Sequence, residues 1–253
     1  MSDHSSKAQQ FRALHVPGKP LVLFNVWDAG SAKSVAAGGA KAIATGSWSV
    51  ANANGFADGE RVPLTFAIEN LRRIVAATSL PVSIDLESGY GDTPDVVGET
   101  VSLAIEAGAI GCNLEDSFPA TGKLRDMAQN ADRIRVARHT ANSEKFFINA
   151  RTDVFFPGAP ETHNQQMLKE AVKRACAYAD AGADGIFAPG LVDIALISRL
   201  AKASPLPLNI MVSGLTPPIR DLAEAGVARV SHGPGPYLVA MKALEEAARA
   251  VSS

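Results

Sequence analysis

The sequence predicts a closed parallel barrel of the (β/α)8 TIM type, one α/β domain over residues 1–253. Three observations carry this prediction. Short apolar runs alternate with helical patterns, and parallel neighbours need such crossover connections. About eight such units in roughly 250 residues is the size of a closed barrel. A weak internal repeat sets Gly39-Ala40, Gly108-Ala109, Gly182-Ala183 and Gly226-Val227 ahead of four of the runs. Glycine there suits a left-handed helix end whose short loop enters a strand. An open doubly wound sheet is the competing architecture. Its Gly-x-Gly-x-x-Gly fingerprint is missing after the first run, where Asp28-Ala-Gly30-Ser stands.

Residues 1–19 form an N-terminal tail or helix whose polar start lacks the apolar core of a signal peptide. The strand runs lie near 21–26, 41–45, 81–86, 110–115, 146–151, 184–188, 207–212 and 228–231. Leu64–Ala77 has apolar residues at helical spacing, and Pro94–Ala107 opens with a proline that a first helical turn tolerates. Ala131–Ala141, Gln165–Ala181, Val192–Ala203 and Pro218–Ala225 continue the alternation, and Tyr237–Val251 closes it. The longest irregular stretches are 47–61 and 117–129, and neither reads as a domain linker. The second follows a strand end, contains Pro119 and Gly122 and carries Lys123 and Arg125, which predicts a mobile active-site loop.

Bulk properties exclude several partners. The formal net charge is −2, so the electrostatics favour neither nucleic acid nor membrane. No apolar stretch reaches the roughly 18 residues that cross a bilayer. Only two cysteines occur, Cys112 and Cys176, which argues against a disulfide framework and for a cytoplasmic location.

In parallel α/β folds the chemistry sits at the carboxyl ends of the strands. Four runs end in charged clusters: Asn25-Val-Trp-Asp28, Asp85-Leu-Glu87, Glu115-Asp116 and Arg151-Thr-Asp153. Asp85 and Glu87 stand two apart, which on a strand puts both on one face. Carboxylates crowded at one rim repel each other unless a cation is present. Asp85, Glu87 and Glu115 are therefore the expected site for Mg²⁺, with Mn²⁺ as the alternative, and one or two direct carboxylates suffice. For each acid singly, capping the next helix is the competing role. Arg151 is placed to hold a carboxylate or phosphate, with an internal ion pair to Asp153 as the alternative. Thr45-Gly46-Ser47-Trp48-Ser49 offers backbone N–H groups for a substrate oxygen. No lysine ends a strand run, which disfavours a Schiff-base aldolase, and no His-x-x-x-His pair occurs, which argues against a zinc hydrolase. His232 ends the last run as a ligand, a proton carrier or a turn cap.

Asn25-Val-Trp-Asp28-Ala, Ser83-Ile-Asp85-Leu-Glu87-Ser-Gly-Tyr-Gly91, Asn113-Leu-Glu115-Asp116 and Asn149-Ala-Arg151-Thr-Asp153 together resemble the isocitrate lyase/phosphoenolpyruvate mutase superfamily, over residues 12–240. The resemblance implies an α/β barrel that binds Mg²⁺ and a small 2-oxo or 2-hydroxy carboxylate. It implies cleavage of a C–C or P–C bond through an enolate-like intermediate. By motif, Asp85 looks like the direct metal ligand, with Glu87, Glu115 and Asp58 around it through water. Gly46, Ser47 and Trp48 resemble the segment that holds the substrate carboxylate, Arg151 the substrate arginine, and Asn209 a further polar contact. The resemblance also implies a homo-oligomer, dimer or tetramer, often with an exchanged C-terminal helix. The chain stops soon after its closing helix, which speaks against exchange.

Departures from the family pattern narrow the expected chemistry. The Lys-Lys/Arg-Cys-Gly-His loop of the isocitrate and methylisocitrate lyases is replaced by Ser117-Phe-Pro-Ala-Thr-Gly122-Lys123-Leu-Arg125, without a thiol. Phosphoenolpyruvate mutases and phosphonopyruvate hydrolases share Phe118-Pro119 but carry lysines at the positions of Ser117 and Ala120. Lys123 and Arg125 stand as replacements that would act by loop closure. Ala188-Pro189 replaces a glutamate that some lyases carry after the sixth strand. The resulting expectation is a Mg²⁺-dependent lyase or decarboxylase acting on a C–C bond. Phosphonate chemistry and a non-catalytic metabolite-binding protein are the alternatives.

Overall fold

The structure, a computed structural model, describes residues 3–141 and 146–252. It opens with helix α1 (Asp3–Ala13), strand β1 (Leu21–Leu23), α2 (Ala29–Ala37) and β2 (Ile43–Ala44). Two helices, α3 (Ser47–Ala53) and α4 (Leu64–Ala76), then lead to β3 (Val82–Asp85), α5 (Pro94–Glu106) and β4 (Gly111–Glu115). The chain continues through α6 (Met127–Thr140), β5 (Phe147–Arg151), α7 (Gln165–Asp180) and β6 (Gly185–Phe187). It ends with α8 (Ile194–Ala203), β7 (Leu208–Met211), α9 (Ile219–Glu224), β8 (Arg229–Ser231) and α10 (Gly235–Ser252). All strands are parallel, in the order β1-β8-β7-β6-β5-β4-β3-β2. The ring closes by one bridge past the end of β1. The Val26 N–H donates to Ala44 at 2.9 Å, and the Gly46 N–H donates to Val26 at 3.2 Å.

Local chemistry explains the helix ends. Asp28 caps α2 in a reciprocal box with Ser31, and Asp126, Asn164 and Asp193 cap α6, α7 and α8. Gly39, Gly108, Gly182 and Gly226 all take φ between 90 and 99°, the left-handed turn that their repeated position predicts. Two helices depart from the expected pattern: α2, and α3, which begins inside the stretch read as irregular.

The barrel interior is divided. Its lower end is apolar, where Ala8 and Phe11 of α1 meet Leu21, Leu23, Ala42, Ala44 and Phe147. Glycines flank Phe147. A Cβ at Gly111 would lie 2.7 Å from the Phe147 carbonyl oxygen, and one at Gly185 would lie 3.1 Å from its ring. Above this plug the inner face turns polar. Asn149 and Arg229 both donate to Asn113 Oδ1, at 2.9 and 3.2 Å, and Ser231 donates to Asn209 at 3.2 Å. The main apolar core lies outside the strands, where Ile84, Leu114, Ile148, Ile186 and Ile210 meet the surrounding helices.

One sector of that outer layer is open. In α10 only Pro236 is buried, while Leu238, Val239, Leu244 and Val251 are exposed. Val22 and Phe24, on the outer side of β1, are also exposed. Together with Leu14, Val16, Val35 and Ala40 they line a groove of about 810 Å³.

His15 sits in the N-terminal plug, stacked on Phe147 at 4.1 Å and donating through Nδ1 to the Phe11 carbonyl at 2.8 Å. Burial, reinforced by the Arg229 charge, lowers its pKa to about 3. The unfolded chain takes this proton below about 6.5, so this contribution to stability is complete above that pH and falls as the pH drops toward 3. Urea unfolding at pH 7.5 and pH 5 is expected to show an acid loss that His15→Phe reduces by about 2 kcal/mol. An equal loss in both proteins would contradict this assignment.

Candidate active site

The strand ends bring a ring of charge to one mouth. Asp85 ends β3, Glu115 ends β4 and Arg151 ends β5, with Glu115 and Arg151 as register partners. Asp85 accepts long bonds from the N–H groups of Ser47, at 3.2 Å, and Glu87, at 3.4 Å. Glu87 does not extend the strand alternation as expected. Its φ of 51° turns the chain, and its Oε2 accepts the Glu60 N–H at 2.6 Å. Glu60 accepts in return from the Ser88 hydroxyl at 2.7 Å and the Tyr90 N–H at 2.8 Å. Glu60, Glu87 and Tyr90 all have positive φ, so this clasp holds a backbone that side chains other than glycine rarely adopt. It also sets Asp58, two residues before Glu60, over the mouth, where it lines both cavities together with Ser47.

Arg151 is the only arginine or lysine lining the mouth cavities among the described residues. It pairs with Glu115 at 2.7 Å and grips Asp153 with two bonds of 2.6 and 3.1 Å. Phe156 covers the guanidinium at 4.7 Å. Burial works against its charge, but Glu115 and Asp153 outweigh that and raise its pKa. Both alternatives for Arg151 thus meet in one geometry: it is ion-paired to Asp153 and still lines the cavity.

Negative charge exceeds positive at this mouth. Burial, then the Asp85 charge, pushes Glu87 up to about 8. Burial raises Glu115 despite Arg151, with Asp153, Asp85 and Glu87 adding to the rise. Asp58 is raised by burial and by Asp85. An array of oxygen donors that repel one another fits a hard divalent cation. The fit is not a three-carboxylate cage. Among the described residues no three His, Cys, Asp or Glu groups converge closely enough for one. Glu115 is held by Arg151 at 2.7 Å and Glu87 by the Glu60 N–H at 2.6 Å, whereas Asp85 accepts only the two long N–H bonds.

Two cavities open here, an inner one of about 140 Å³ and an outer one of about 340 Å³. Gly46, Ser47 and Trp48 line the inner one. The Gly46 N–H is engaged by Val26 and the Ser47 N–H by Asp85, so these two are not unencumbered donors. The Trp48 N–H lies in the first turn of α3, where no intrahelical carbonyl reaches it. Asn209 lies below the cavity floor, buried and bonded to Ser231. His232 packs against Phe24, the rings tilted by 57° with centres 5.1 Å apart, and lines neither cavity.

The 117–129 loop departs most from expectation. Its base is a tight hairpin, with the Phe118 N–H on Lys123 at 2.9 Å and the Arg125 N–H on Asp116 at 2.7 Å. Phe118, Pro119 and Gly122 face the outer cavity. Lys123 is exposed and Arg125 is buried elsewhere, on Asp92 at 2.8 Å and over the Phe118 ring at 3.9 Å. Neither cation reaches the rim, because the hairpin throws both away from it. Ser231, at a strand end where the chemistry is expected, does line the inner cavity; cavity residues missed from sequence include Asn25 and Asn113, and the apolar Phe156, Phe187 and Met211. Asn113 was within reach of the strand period, two residues before Glu115. Phe187 and Met211 look like ordinary strand hydrophobics.

Asp116 is fully buried behind the rim and lines neither cavity, whereas Asp153 lines the outer one. Asp116 accepts from the Asp153 N–H at 2.9 Å, Arg174 at 3.0 Å and the Tyr178 hydroxyl at 2.8 Å. Asp116→Ala removes the acceptor shared by Arg174, Tyr178 and the Asp153 N–H, leaves Arg174 only Glu170, at 2.8 Å, as a carboxylate partner, and is expected to cost about 1–3 kcal/mol in urea unfolding. A change below about 1 kcal/mol would deny it this role.

Comparison with known proteins gives the chain its family. A model described as Phosphoenolpyruvate phosphomutase matches residues 11–252. The uncharacterized protein Rv1998c of Mycobacterium tuberculosis H37Rv is 40% identical over 243 residues, covering 96% of this chain and 88% of that protein. The 2-methylisocitrate lyase of Escherichia coli K12 is 30% identical over 227 residues, covering 86% and 74%. A crystal structure of a candidate phosphonomutase from Burkholderia cenocepacia J2315 matches with a TM-score of 0.95 at 58% identity, covering 97% and 98%. The chain therefore belongs to the phosphoenolpyruvate phosphomutase family, within the isocitrate lyase/phosphoenolpyruvate mutase superfamily of enzymes.

Proposed function

We propose that this protein is a Mg²⁺-dependent enzyme that cleaves a C–C bond of a small 2-oxo or 2-hydroxy carboxylic acid, by lyase or decarboxylase chemistry. The observation that carries this is the crowding of Asp58, Asp85, Glu87 and Glu115 around one cationic side chain, Arg151. Asp85 would hold the cation directly, with Glu87 and Glu115 oriented on its waters. A bound divalent cation supplies positive charge to the oxygens on which negative charge develops. Arg151 and the Trp48 N–H hold the substrate carboxylate. The Glu115–Arg151–Asp153 contacts fix the guanidinium so that it need not reorganise during the reaction. Asp58 faces the reacting end, and the 117–129 loop excludes water. The lyase identity of the Escherichia coli relative supports the reaction class. Two unpaired cysteines, Cys112 buried and Cys176 exposed, agree with a cytoplasmic setting.

Phosphonate chemistry is the second reading. The candidate phosphonomutase at 58% identity and the Phe118-Pro119 pair beside the outer cavity support it. Phosphorus NMR of phosphonopyruvate decides it: loss of the P–C signal supports it, and an unchanged spectrum at high enzyme excludes it.

We further propose a homo-oligomer in which α10 of one protomer covers the β1 groove of another. The uncovered Val22 and Phe24, and the apolar residues that α10 exposes, are complementary surfaces on one chain. This reverses the expectation drawn from the chain's length.

Product release from oxaloacetate and substituted malates is expected only with Mg²⁺. Glu87→Gln should lose about 10–100-fold in metal affinity or activity and Asp85→Ala more. Unchanged activity in Asp85→Ala would sink the metal reading. Light scattering should find an oligomer that Val239→Glu with Leu244→Glu reduces to monomers. A monomeric parent protein at micromolar concentration would contradict the exchange.

A further inference from the structure

We propose that Arg229 is a positioning residue for the anionic ligand of this mouth, a cation beneath the cavity floor that the fold itself does not need. The ligand rests on the function proposed for this site, and the role of Arg229 goes beyond it.

Arg229 opens β8 and is fully enclosed. The other buried arginines have evident structural partners. Arg125 pairs with Asp92 at 2.8 Å and Arg174 with Asp116 at 3.0 Å. Arg133 donates to the backbone carbonyls of Ser88, Gly91 and Asp92. Arg229 differs from all three. Its Nη2 donates to Asn113 Oδ1 at 3.2 Å and its Nε to Ser231 Oγ at 3.4 Å, both long bonds to neutral groups. Its Nη1 has no hydrogen-bond partner, and among the described residues no carboxylate forms an ion pair with it.

Neither neutral partner depends on the arginine for satisfaction. Asn113 Oδ1 also accepts from Asn149 at 2.9 Å, and the Ser231 hydroxyl donates to Asn209 at 3.2 Å. An apolar side chain in place of Arg229 orphans neither group. It also removes the desolvation cost of a buried charge that has no counter-ion beside it. Folding alone therefore gives no reason for an arginine here.

The mouth gives one. Asn113 and Ser231 both line the inner cavity, and Asn113 is the register partner of Asp85. A guanidinium only donates, so it admits only the oxygen of the Asn113 amide. With Oδ1 held from below, the amide Nδ2 is left to the cavity as a donor for an anion. Without Arg229 the Asn113 and Asn149 amides can turn over together and keep their mutual bond. Charge acts in the same direction as this orientation. Burial lowers the pKa of Arg229 only to about 10, so it stays charged at neutral pH. A cation at the rim and an anion beside it feel that charge with opposite signs.

Arg229→Met in the full chain tests this with three readouts. The urea midpoint is expected to lie at or above that of the parent. Calorimetry with oxalate at saturating Mg²⁺ should show affinity weakened about tenfold, the order of one charge acting through a layer of protein. Calorimetry with Mg²⁺ alone should show binding at least as tight as in the parent, since the lost charge repelled the cation. A lower midpoint, or a chain that does not fold, would make Arg229 structural and overturn the inference. Unchanged oxalate binding, or oxalate and Mg²⁺ weakened together, would overturn it while leaving the proposed function intact. A parent protein that binds no oxalate would overturn both.

Discussion

One buried guanidinium organises the mouth of this barrel. Arg151 lies between Glu115 and Asp153, and each partner is anchored in turn. Asp153 takes the Ser117 hydroxyl at 2.6 Å and gives its N–H to Asp116, which is held by Arg174 and Tyr178 of α7. Four elements of the fold are thereby tied to one side chain. Such a network adds less to net stability than its count of bonds suggests, because each ion lost its water on burial. Its physical effect is orientation. It also leaves Asp58, Asp85 and Glu87 without a cationic side chain of their own, and the proposed cation site rests on that imbalance.

The polar floor beneath the mouth extends the same theme. Barrel interiors are usually filled by branched apolar side chains. Here Asn113, Asn149, Asn209 and Arg229 occupy the inner face above the Phe147 plug. Arg229 is fully enclosed, and burial lowers its pKa to about 10 although the Asp85 charge opposes this. Its positive charge below the floor faces the carboxylates above it. The apolar plug contributed by α1 closes the lower end, so only the mouth exchanges with solvent.

Much of this was legible in the sequence, for identifiable reasons. The strand runs carry a strong apolar signal, and the four repeated glycines mark helix ends because their backbone geometry excludes most other residues. Asp85, Glu115 and Arg151 were legible because strand ends in a parallel barrel share one rim. What was not legible depends on direction. Glu87 turns on a positive φ that spacing alone does not reveal. Lys123 and Arg125 sit on a hairpin whose twist decides where they point, and it points them away. Phe187 and Met211 are indistinguishable from core residues until the register shows which side of the barrel they face. The closing helix was legible as a helix, but its spacing does not say which surface its apolar residues cover.

The central physical claim is that the carboxylates of this mouth require a divalent cation. Thermal unfolding of the full chain across a Mg²⁺ titration tests it without assuming any substrate. A ligand that binds only the folded state must raise the melting temperature by mass action. The melting temperature is expected to rise progressively with Mg²⁺ in the parent protein and to stay flat in Asp85→Asn. A parent protein whose melting is indifferent to millimolar Mg²⁺, or an equal rise in Asp85→Asn, would contradict the claim.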